Sequence, residues 1–307
     1  MNLNTIKHLL KHPLNLVPML GAKELLNWLP DKLYLSILFK NALGHRMNWD
    51  DPKTFNEKLQ WLKLYDRKPL YTQLVDKYAV REYIAEKIGE EYLIPLVGGP
   101  WNSVDEIDFE ALPQQFVLKT THDSGGVLVC TDKDSLDIKN AKQKLAKRLK
   151  VNYYWGNREW PYKNVEPRII AEKYMQDKNC AELRDYKFYC FGGQPKVMLI
   201  VTDRMEKQVP TKFTFFDMDF NKLPFVQSGP SDSRALEKPF NFEQMRQLAE
   251  LLSKEFPQIR VDLYDVNGEI YFGELTMFDS SGMEAFEPAE WDKTLGDWIK
   301  LPEKIIK

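Results

Sequence analysis

Apolar and polar residues alternate with helical spacing over the first part of the chain. Thr54 precedes an apolar residue and has Glu57 three positions later, which is the capping-box pattern of a helix start. Leucines and aromatic residues then recur at near-helical spacing over residues 55–70, and a second helix is predicted from about Tyr71 to Gly89. Residues 1–92 are therefore predicted to form a helical region.

After Pro95 the pattern changes to short apolar runs separated by turns, which is typical of strands. Hairpins are predicted over residues 115–130, 185–202, 211–227 and 260–275, a single strand over 168–175, and helices over 137–150 and 242–256. The last hairpin contains the pair Asn267-Gly268, a strong signal for a tight turn. Antiparallel hairpins mixed with helices predict an α+β architecture.

The composition predicts a folded globular protein without a dominant charge. Forty-three Lys and Arg residues stand against 45 Asp and Glu residues, a formal net charge of -2, and 43% of the residues are hydrophobic. This balance argues against a nucleic-acid partner, since such proteins bind phosphates through an excess of basic charge. The three cysteines match no paired metal-ligand spacing, so we expect reduced thiols in a reducing compartment.

The amino-terminal segment is apolar, but its sequence does not predict a membrane span. No run of about eighteen apolar residues occurs in the chain. Lys7, Lys11 and three prolines interrupt the first thirty residues, and no small-residue cleavage site follows them. The segment is compatible with packing on the protein's own body and with a peripheral membrane contact. We expect a cytoplasmic location, with the inner face of the cytoplasmic membrane as an alternative.

The hairpin 260–275 carries the most informative charged residues. Strand alternation places Arg260, Asp262 and Tyr264 on one face, and the tight turn brings Glu274 back beside them. Two carboxylates near an arginine suit Mg²⁺, which takes few protein oxygens and completes its coordination with phosphates. A salt-bridged hairpin without a metal remains the alternative interpretation.

Two further segments are suited to a nucleotide. Lys119 ends an apolar strand shortly before the turn Ser124-Gly125-Gly126, whose backbone N–H groups can approach phosphate oxygens. The segment from Ala171 to Met175 leaves a buried strand, where it can offer a purine an apolar slot and backbone hydrogen bonds. Each signal is ambiguous alone, because hairpin glycines commonly serve backbone geometry and strand ends commonly face solvent.

The order of these residues resembles that of the ATP-grasp superfamily of carboxylate–amine ligases. The chain presents, in sequence, Asp76-Lys77, Lys119 with its glycine turn, Glu172 to Met175, Asp185, Arg260 with Asp262, Glu274, and Gly282-Met283. More narrowly, the segments Thr54 to Lys63 and Asp76 to Arg81 are similar to the TupA-like (teichuronopeptide-biosynthesis) branch. The resemblance runs from about Lys40 to about Pro288.

The resemblance implies a fold in which two α+β subdomains enclose ATP. The small subdomain with its glycine flap is expected over residues 93–170, and the large subdomain with the adenine hinge and the metal site over 171–307. The helical region 1–92 takes the place of the βαβ domain with which such ligases usually begin.

The resemblance also implies roles for individual residues. For ATP it implies Lys77 and Lys119 at the phosphates, Ser124, Gly125 and Gly126 in a flap, Glu172, Lys173, Tyr174 and Met175 at the adenine, and Asp185 at the ribose. For Mg²⁺ it implies Asp262 and Glu274, with Arg260 beside the reacting phosphoryl group. Thr276 stands where the superfamily usually has Asn, which implies a weak or water-mediated third ligand. Arg204 and Lys212 are candidates to clamp the γ-phosphate.

The implied activity is an ATP- and Mg²⁺-dependent, ADP-forming ligase that activates a carboxylate as an acyl phosphate and lets an amine displace the phosphate. In the resembling branch a uronic acid of a surface polysaccharide, or its lipid-linked precursor, is joined to an amino acid or other amine. The alternatives are a sugar phosphotransferase and a non-catalytic nucleotide-binding component of a capsule-synthesis complex. The joint presence of Lys119, Arg260, Asp262 and Glu274 argues against a non-catalytic protein.

Two other features admit two interpretations each. The aromatic stretch from Tyr153 to Tyr162 is equally compatible with stacking on sugar rings and with internal packing. His122, within the expected flap, is compatible with ordering a phosphate or deprotonating the amine, and with a simple polar loop role.

Overall fold

The computed structural model describes residues 16–178, 183–204 and 208–304. The helices in these ranges are α1 (Leu16–Ala22), α2 (Asp31–Leu43), α3 (Phe55–Tyr65), α4 (Leu70–Val75), α5 (Val80–Lys87), α6 (Ile138–Leu149), α7 (Tyr154–Asn157), α8 (Phe242–Ser253) and α9 (Glu290–Trp298). The strands are β1 (Leu96–Trp101), β2 (Phe116–Thr120), β3 (Val127–Cys130), β4 (Ile169–Lys173), β5 (Asp185–Phe191), β6 (Gln194–Thr202), β7 (Lys212–Phe216), β8 (Gln258–Val266) and β9 (Glu269–Thr276). The predicted α+β class is confirmed.

The start of α3 follows the predicted capping box. Thr54 accepts a hydrogen bond from the Glu57 N–H at 3.2 Å, and the Glu57 carboxylate accepts one from the Thr54 N–H at 3.3 Å. Each side chain thereby satisfies a backbone donor that the first turn leaves free.

The predicted continuous helix from Tyr71 to Gly89 is wrong, because the chain breaks between α4 and α5. The Asp76 carboxylate accepts hydrogen bonds from the backbone N–H groups of Tyr78 at 2.8 Å and Ala79 at 3.3 Å. A short acidic side chain can compete in this way with the hydrogen bonds of a helix. The break removes Lys77 from a helical face and leaves it in a connecting turn.

The first sheet has the strand order β1-β4-β2-β3, and all its neighbouring strands are antiparallel. The predicted hairpin 115–130 is confirmed as β2 and β3, and the predicted strand 168–175 is confirmed as β4. Since β4 pairs with both β1 and β2, the expected subdomain boundary between residues 170 and 171 falls inside a central strand of this sheet.

The second sheet has the strand order β7-β6-β5-β8-β9 and is also antiparallel. The predicted hairpins 185–202 and 260–275 are confirmed. Asn267 and Gly268 take φ values of 55° and 86°, as the predicted tight turn requires.

The predicted return strand of hairpin 211–227 is wrong. Between β7 and residue 227 the chain makes only isolated bridges, one between Phe216 and Lys222 and one between Val226 and Glu287, and no ladder. The Asp217 carboxylate accepts hydrogen bonds from the backbone N–H groups of Asp219 at 2.9 Å and Asn221 at 2.8 Å. These turn contacts use backbone donors that strand pairing would need.

The helical region shares its core with the second sheet. Phe55 and Leu59 of α3 are fully buried in the same cluster as Val261 of β8 and Phe242 of α8. Helices α3 to α5 therefore pack directly against the sheet that contains the hairpin β8–β9.

Two remaining predictions concern the cysteines and the membrane. Cys130 and Cys190 are free and buried, in agreement with reduced thiols, whereas Cys180 lies outside the described residues. Within the described part of the chain, no helix combines the length and apolar character that a membrane crossing requires.

Candidate functional site

A cavity of about 570 Å³ is lined by residues from both sheets and from the turn between α4 and α5. Its volume lies within the range common for small-molecule sites. Its apolar lining residues include Leu74, Val80, Ile94, Val117, Val127 and Val129. Its charged lining residues include Lys77, Lys119, Lys187, Arg204, Asp262 and Glu274. The cavity thus offers both apolar and charged side chains to a ligand.

The loop between β2 and β3 is fixed at its base and exposed at its tip. Asp123 is fully buried and its carboxylate contacts the Thr120 hydroxyl at 2.5 Å and Arg148 Nε at 2.7 Å. Ser124 and Gly125 are exposed and line the cavity, as expected for the flap. Gly126 is buried below them, where a Cβ atom would lie 1.7 Å from the Thr120 hydroxyl oxygen. Gly126 therefore serves close packing and is not one of the cavity-lining residues.

Lys77 and Lys119 reach the cavity from two elements that the fold brings together. The Lys77 N–H donates to the Thr121 carbonyl at 3.0 Å, and its ammonium group donates to the Asp123 carbonyl. Burial lowers the pKa of Lys77, and this effect opposes the attraction of Glu274 and Asp123. Lys119 Nζ lies 2.5 Å from the Glu172 carboxylate. Both lysines are placed where an anionic ligand would relieve the cost of their burial.

The segment expected to hold the adenine borders the cavity. Glu172, Lys173, Tyr174 and Met175 all line it. The Lys173 N–H donates to the Pro95 carbonyl at 2.9 Å, and the Glu172 carboxylate forms an ion pair with Lys119. This segment therefore borders the cavity where β4 ends. Part of its polar groups already bind neighbouring elements.

The acidic hairpin, formed by β8 and β9, has the predicted register. Asp262 stands opposite Glu274, and Arg260 stands opposite Thr276. Arg260 Nη2 lies 2.8 Å from Asp262 Oδ2 and 3.1 Å from Glu274 Oε1, so one guanidinium group contacts both carboxylates. Thr276 accepts a hydrogen bond from Arg260 at 3.0 Å. Asp262 and Glu274 line the cavity, whereas Arg260 and Thr276 are not among its lining residues.

The charge of Asp262 is strongly favoured in this environment. Burial disfavours the ionised carboxylate, but the positive charges of Arg260 and Lys187 outweigh burial and lower its pKa to about 2. An ionised, buried carboxylate held by fixed donors is suited to receive a hard cation.

The structure separates the remaining predicted cations. Arg204 lines the cavity and lies 2.5 Å from the Asp185 carboxylate, which lines it as well. Burial opposes the charge of Arg204, but Asp185 raises its pKa. Lys212 is not among the lining residues and instead contacts Asp203 at 2.8 Å. The reason is the strand order, which puts β7 on the sheet edge away from β8 and β9.

Comparison with protein families identifies the chain. The profile described as TupA-like ATP-grasp matches residues 57–300 of the 307. The chain belongs to the TupA-like ATP-grasp family. Among curated proteins, none matches the sequence significantly.

Solved structures with a related fold are distant from this TupA-like chain. They include N5-carboxyaminoimidazole synthase from Aspergillus clavatus in complex with ADP and 5-aminoimidazole ribonucleotide, with 14% identity, coverage of 67% of this chain and 44% of that chain, and a TM-score of 0.37. D-alanine–D-alanine ligase from Bacillus anthracis, complexed with ATP, has 15% identity, 74% and 63% coverage and a TM-score of 0.39. The corresponding ligase from Helicobacter pylori has 14% identity, 81% and 69% coverage and a TM-score of 0.41. The chain spans less than two thirds of the length of the first two proteins.

The residues present fit the metal that the ATP-grasp fold implies. Asp262 and Glu274 both line the cavity, and one nitrogen of Arg260 lies within 3.1 Å of an oxygen of each, so the two carboxylates lie close together. Among the described residues, no three His, Cys, Asp or Glu side chains gather into a metal site by themselves. Mg²⁺ commonly takes one or two carboxylates and completes its coordination with phosphates and water. This donor set therefore suits Mg²⁺ brought together with a nucleotide better than a metal bound by protein alone.

Two residues of the charged network were not predicted. Lys187 on β5 stands opposite Asp262, contacts its carboxylate and lies 3.5 Å from the Asp185 carboxylate. Alternation with Asp185 was the available signal, since residues two apart share a face of a strand. Asp279 accepts a hydrogen bond from Arg260 and a second from the Tyr189 hydroxyl at 3.0 Å. No local sequence pattern predicts the role of Asp279, because its partners lie on β8 and β5, far away along the chain.

The aromatic stretch divides between the two interpretations. Arg158 is fully buried and its guanidinium carbon lies 4.2 Å from the ring centre of Tyr34 and 4.6 Å from that of Trp155. Trp155 therefore takes part in internal packing. Tyr162 lines the cavity, and its ring centre lies 4.8 Å from that of Tyr153. Only this end of the stretch offers an aromatic surface to a ligand in the cavity.

His122 is held inside the base of the flap. It is buried and its Nε2 lies 3.3 Å from the Arg148 carbonyl oxygen. Burial lowers the pKa of His122, which keeps the imidazole neutral near pH 7. His122 is not one of the cavity-lining residues.

Proposed function

We propose that the protein is an ATP- and Mg²⁺-dependent, ADP-forming carboxylate–amine ligase. The observation that carries the proposal is the charge arrangement of one cavity. Apolar side chains, two lysines and the acid pair Asp262 and Glu274 line the same 570 Å³ space. Membership of the TupA-like ATP-grasp family supports the same activity.

The proposed reaction has two steps. An oxygen of the substrate carboxylate attacks the γ-phosphorus of ATP, the bond to the β-phosphate oxygen breaks, and ADP leaves. The amine nitrogen then attacks the acyl carbon, phosphate leaves with the former carboxylate oxygen, and the nitrogen loses a proton. The first step is needed because an ionised carboxylate has no adequate leaving group.

The protein contributes mainly position and charge to these steps. Lys77 and Lys119 would neutralise phosphate oxygens, and Asp262 and Glu274 would hold Mg²⁺. The bound ion supplies neutralisation of the charge that develops on the transferred phosphoryl group. The exposed tip of the flap, Ser124 and Gly125, is suited to cover the phosphates and exclude water from the acyl phosphate.

We propose a uronic acid of a surface polysaccharide, or its lipid-linked precursor, as the carboxylate substrate and an amino acid or other amine as the acceptor. The TupA-like family supports this substrate class. The Tyr162 ring at the cavity supports it as well, since aromatic faces can pack against the apolar face of a sugar ring.

The decisive experiment uses hydroxylamine as the amine. The protein is incubated with ATP, Mg²⁺ and uronic-acid glycans, and both ADP and hydroxamate are measured. Hydroxamate formed in step with ADP supports the ligase. A stable phosphosugar without hydroxamate would instead identify a sugar phosphotransferase, and nucleotide binding without ADP formation would identify a non-catalytic component.

We also propose that residues 16–33 contact a membrane surface. Four large apolar side chains in this stretch are exposed, namely Met19 at 39%, Leu25 at 60%, Trp28 at 76% and Leu33 at 50%. The double variant Leu25→Ser, Trp28→Ser should reduce cosedimentation with phosphatidylglycerol vesicles. Phe240→Ser is the matched control, because Phe240 is 92% exposed on another part of the surface. Equal cosedimentation of the double variant and the control would refute the contact.

A further inference from the structure

The turn Asp279–Gly282 has an unfavourable backbone conformation next to the acidic hairpin. Ser280, Ser281 and Gly282 take consecutive φ values of 45°, 55° and 58°. Residues with a Cβ atom disfavour this left-handed region, so the surrounding structure must hold Ser280 and Ser281 in it.

Helix α3 supplies the groups that hold the turn. Gln60 Nε2 donates to the carbonyl oxygens of Ser281 at 2.9 Å and Gly282 at 2.8 Å. Lys63 Nζ donates to the Ser281 carbonyl at 2.8 Å. Both side chains are fully buried, so these hydrogen bonds are formed without competition from water.

The same helix face also holds the chain beyond the turn. Asn56 Nδ2 donates to the Glu284 carbonyl at 2.9 Å, and Asn56 is fully buried. Asn56, Gln60 and Lys63 are spaced three and four residues apart, which places them on one face of α3. Burial of three polar side chains on one helix is costly unless they form hydrogen bonds, and their contacts with the turn and its flank provide these bonds.

The turn is connected through Asp279 to the two carboxylates proposed to hold Mg²⁺, Asp262 and Glu274. The Asp279 carboxylate holds Arg260, and Arg260 in turn contacts both Asp262 and Glu274. Asp279 thus gives the Arg260 guanidinium group a further carboxylate partner. Without Asp279, the carboxylate partners of Arg260 would be Asp262 and Glu274. A displaced turn would move Asp279, and Arg260 would then compete more strongly for Asp262 and Glu274.

We propose that α3 is a positioning element for the metal site, acting through Asn56, Gln60 and Lys63 on the turn 279–282. The inference rests on the proposed function, because it concerns the affinity of the acid pair for Mg²⁺. The three residues of α3 are positioning residues, since their contacts are with the turn and its flanks.

The test compares two lysines on the same helix. Lys63→Met removes a donor to the turn, whereas Lys58→Met removes a donor to the carbonyl oxygens of Gly296 and Ile299, each at 2.9 Å. Both variants lose a lysine that donates to backbone carbonyls, but only Lys63 contacts the turn. We expect Lys63→Met to raise the Mg²⁺ concentration for half-maximal ATP turnover at least about fivefold and Lys58→Met to leave it within about twofold. ADP affinity without Mg²⁺ should stay within about twofold in both variants.

A second variant and a rescue separate positioning from general stability. Gln60→Met keeps the side-chain volume and loses both hydrogen bonds to the turn, so it should show the same Mg²⁺ effect if Lys63→Met does not fold. Adding Ser280→Gly should restore part of the Mg²⁺ affinity, because glycine accepts the left-handed conformation without cost. If the α3 variants only lowered general stability, a glycine in the turn would not restore the Mg²⁺ dependence.

The outcomes distinguish the two proposals. If the wild-type protein shows no Mg²⁺-dependent binding of ADP or ATP, the proposed function fails. If the wild-type protein binds them and both Gln60→Met and Lys63→Met match Lys58→Met in Mg²⁺ dependence, the positioning role alone is overturned. Failure of Ser280→Gly to restore any Mg²⁺ affinity in the Gln60→Met protein would also count against it.

Discussion

The two walls of the cavity hold their charges in different ways. On the wall formed by the first sheet and the turn between α4 and α5, Lys119 pairs with Glu172, and Lys77 contacts a loop carbonyl. On the wall formed by the second sheet, Arg260, Asp262 and Asp279 form one buried network. On the first wall, each lysine can exchange its partner for a ligand. On the second wall, the charged side chains already hold one another in place before any ligand binds.

This difference suits the two parts of the proposed chemistry. Phosphate groups enter and leave in each turnover, so the cations that contact them need partners that can be exchanged. The acids that hold Mg²⁺ act best when their orientation is fixed in advance, because no reorganisation is then required during phosphoryl transfer. Four predictions test the contrast, beginning with the largest expected effect.

Asp262→Asn should lower ATP turnover by about a thousandfold, since the loss of a metal ligand removes several kcal/mol of transition-state stabilisation. The change is measured as ADP formation at saturating ATP. Glu269→Gln, an exposed residue at the other end of the same hairpin, should keep wild-type activity. Near-normal turnover of Asp262→Asn would show that the metal assignment is incorrect.

Arg260→Lys should lower the free energy of unfolding by about 3 kcal/mol, because a lysine cannot reproduce the forked contacts with Asp262 and Asp279 and leaves buried carboxylates poorly paired. Urea unfolding measures this loss. Arg246→Lys, on the exposed face of α8, provides the control. A loss below about 1 kcal/mol would mean that the second wall is no more preorganised than a surface ion pair.

The stability of the second wall should depend on pH in the acid range. The pKa of Asp262 is about 2 in the folded protein, below its ordinary value of 3.8, so ionisation of this group favours folding. Its contribution of about 2 kcal/mol is present above pH 4 and should disappear as the pH falls toward 2. Comparison of urea unfolding between pH 5 and pH 2 should show a shallower decline for Asp262→Asn than for the wild type. Parallel curves would contradict the prediction.

Lys119→Met should weaken nucleotide binding about tenfold and lower the free energy of unfolding by only about 1 kcal/mol, because Arg81 at 4.0 Å remains as a cation beside Glu172. The first wall would then contribute to ligand affinity with little effect on stability. Titration calorimetry with ADP measures the first quantity and urea unfolding the second. Lys139→Met, an exposed change on α6, should alter neither. A stability loss as large as that of Arg260→Lys would remove the distinction between the walls.

Local patterns were sufficient for three of the four predicted hairpins and for the capping box. The hairpin from β8 to β9 requires only strand alternation and a turn pair that accepts positive φ, and both are properties of neighbouring residues. The pairing of Asp262 with Glu274 follows from that hairpin alone. The helix break at Asp76 was missed, because apolar spacing continues across it and one side chain decides the conformation.

Contacts between distant elements could not be derived in this way. Lys187 reaches Asp262 because β5 pairs with β8, and Lys212 is excluded from the cavity because β7 forms the opposite edge of the sheet. Neither fact follows from the spacing of residues along the chain. Whether Gly126 contacts a ligand or only packs against Thr120 likewise depends on a loop conformation.

The sequence by itself determined the α+β class, the family and the residue types available for a charged cavity. These properties depend on short-range periodicity and on the order of chemical groups, and both are contained in the linear sequence. Only the tertiary structure decided which charges meet and how firmly each is held. The strand order and the packing of α3 against the turn 279–282 are set by burial of apolar surface over the whole chain. That burial brings Asp279, Lys187 and Lys63 to the site from distant positions.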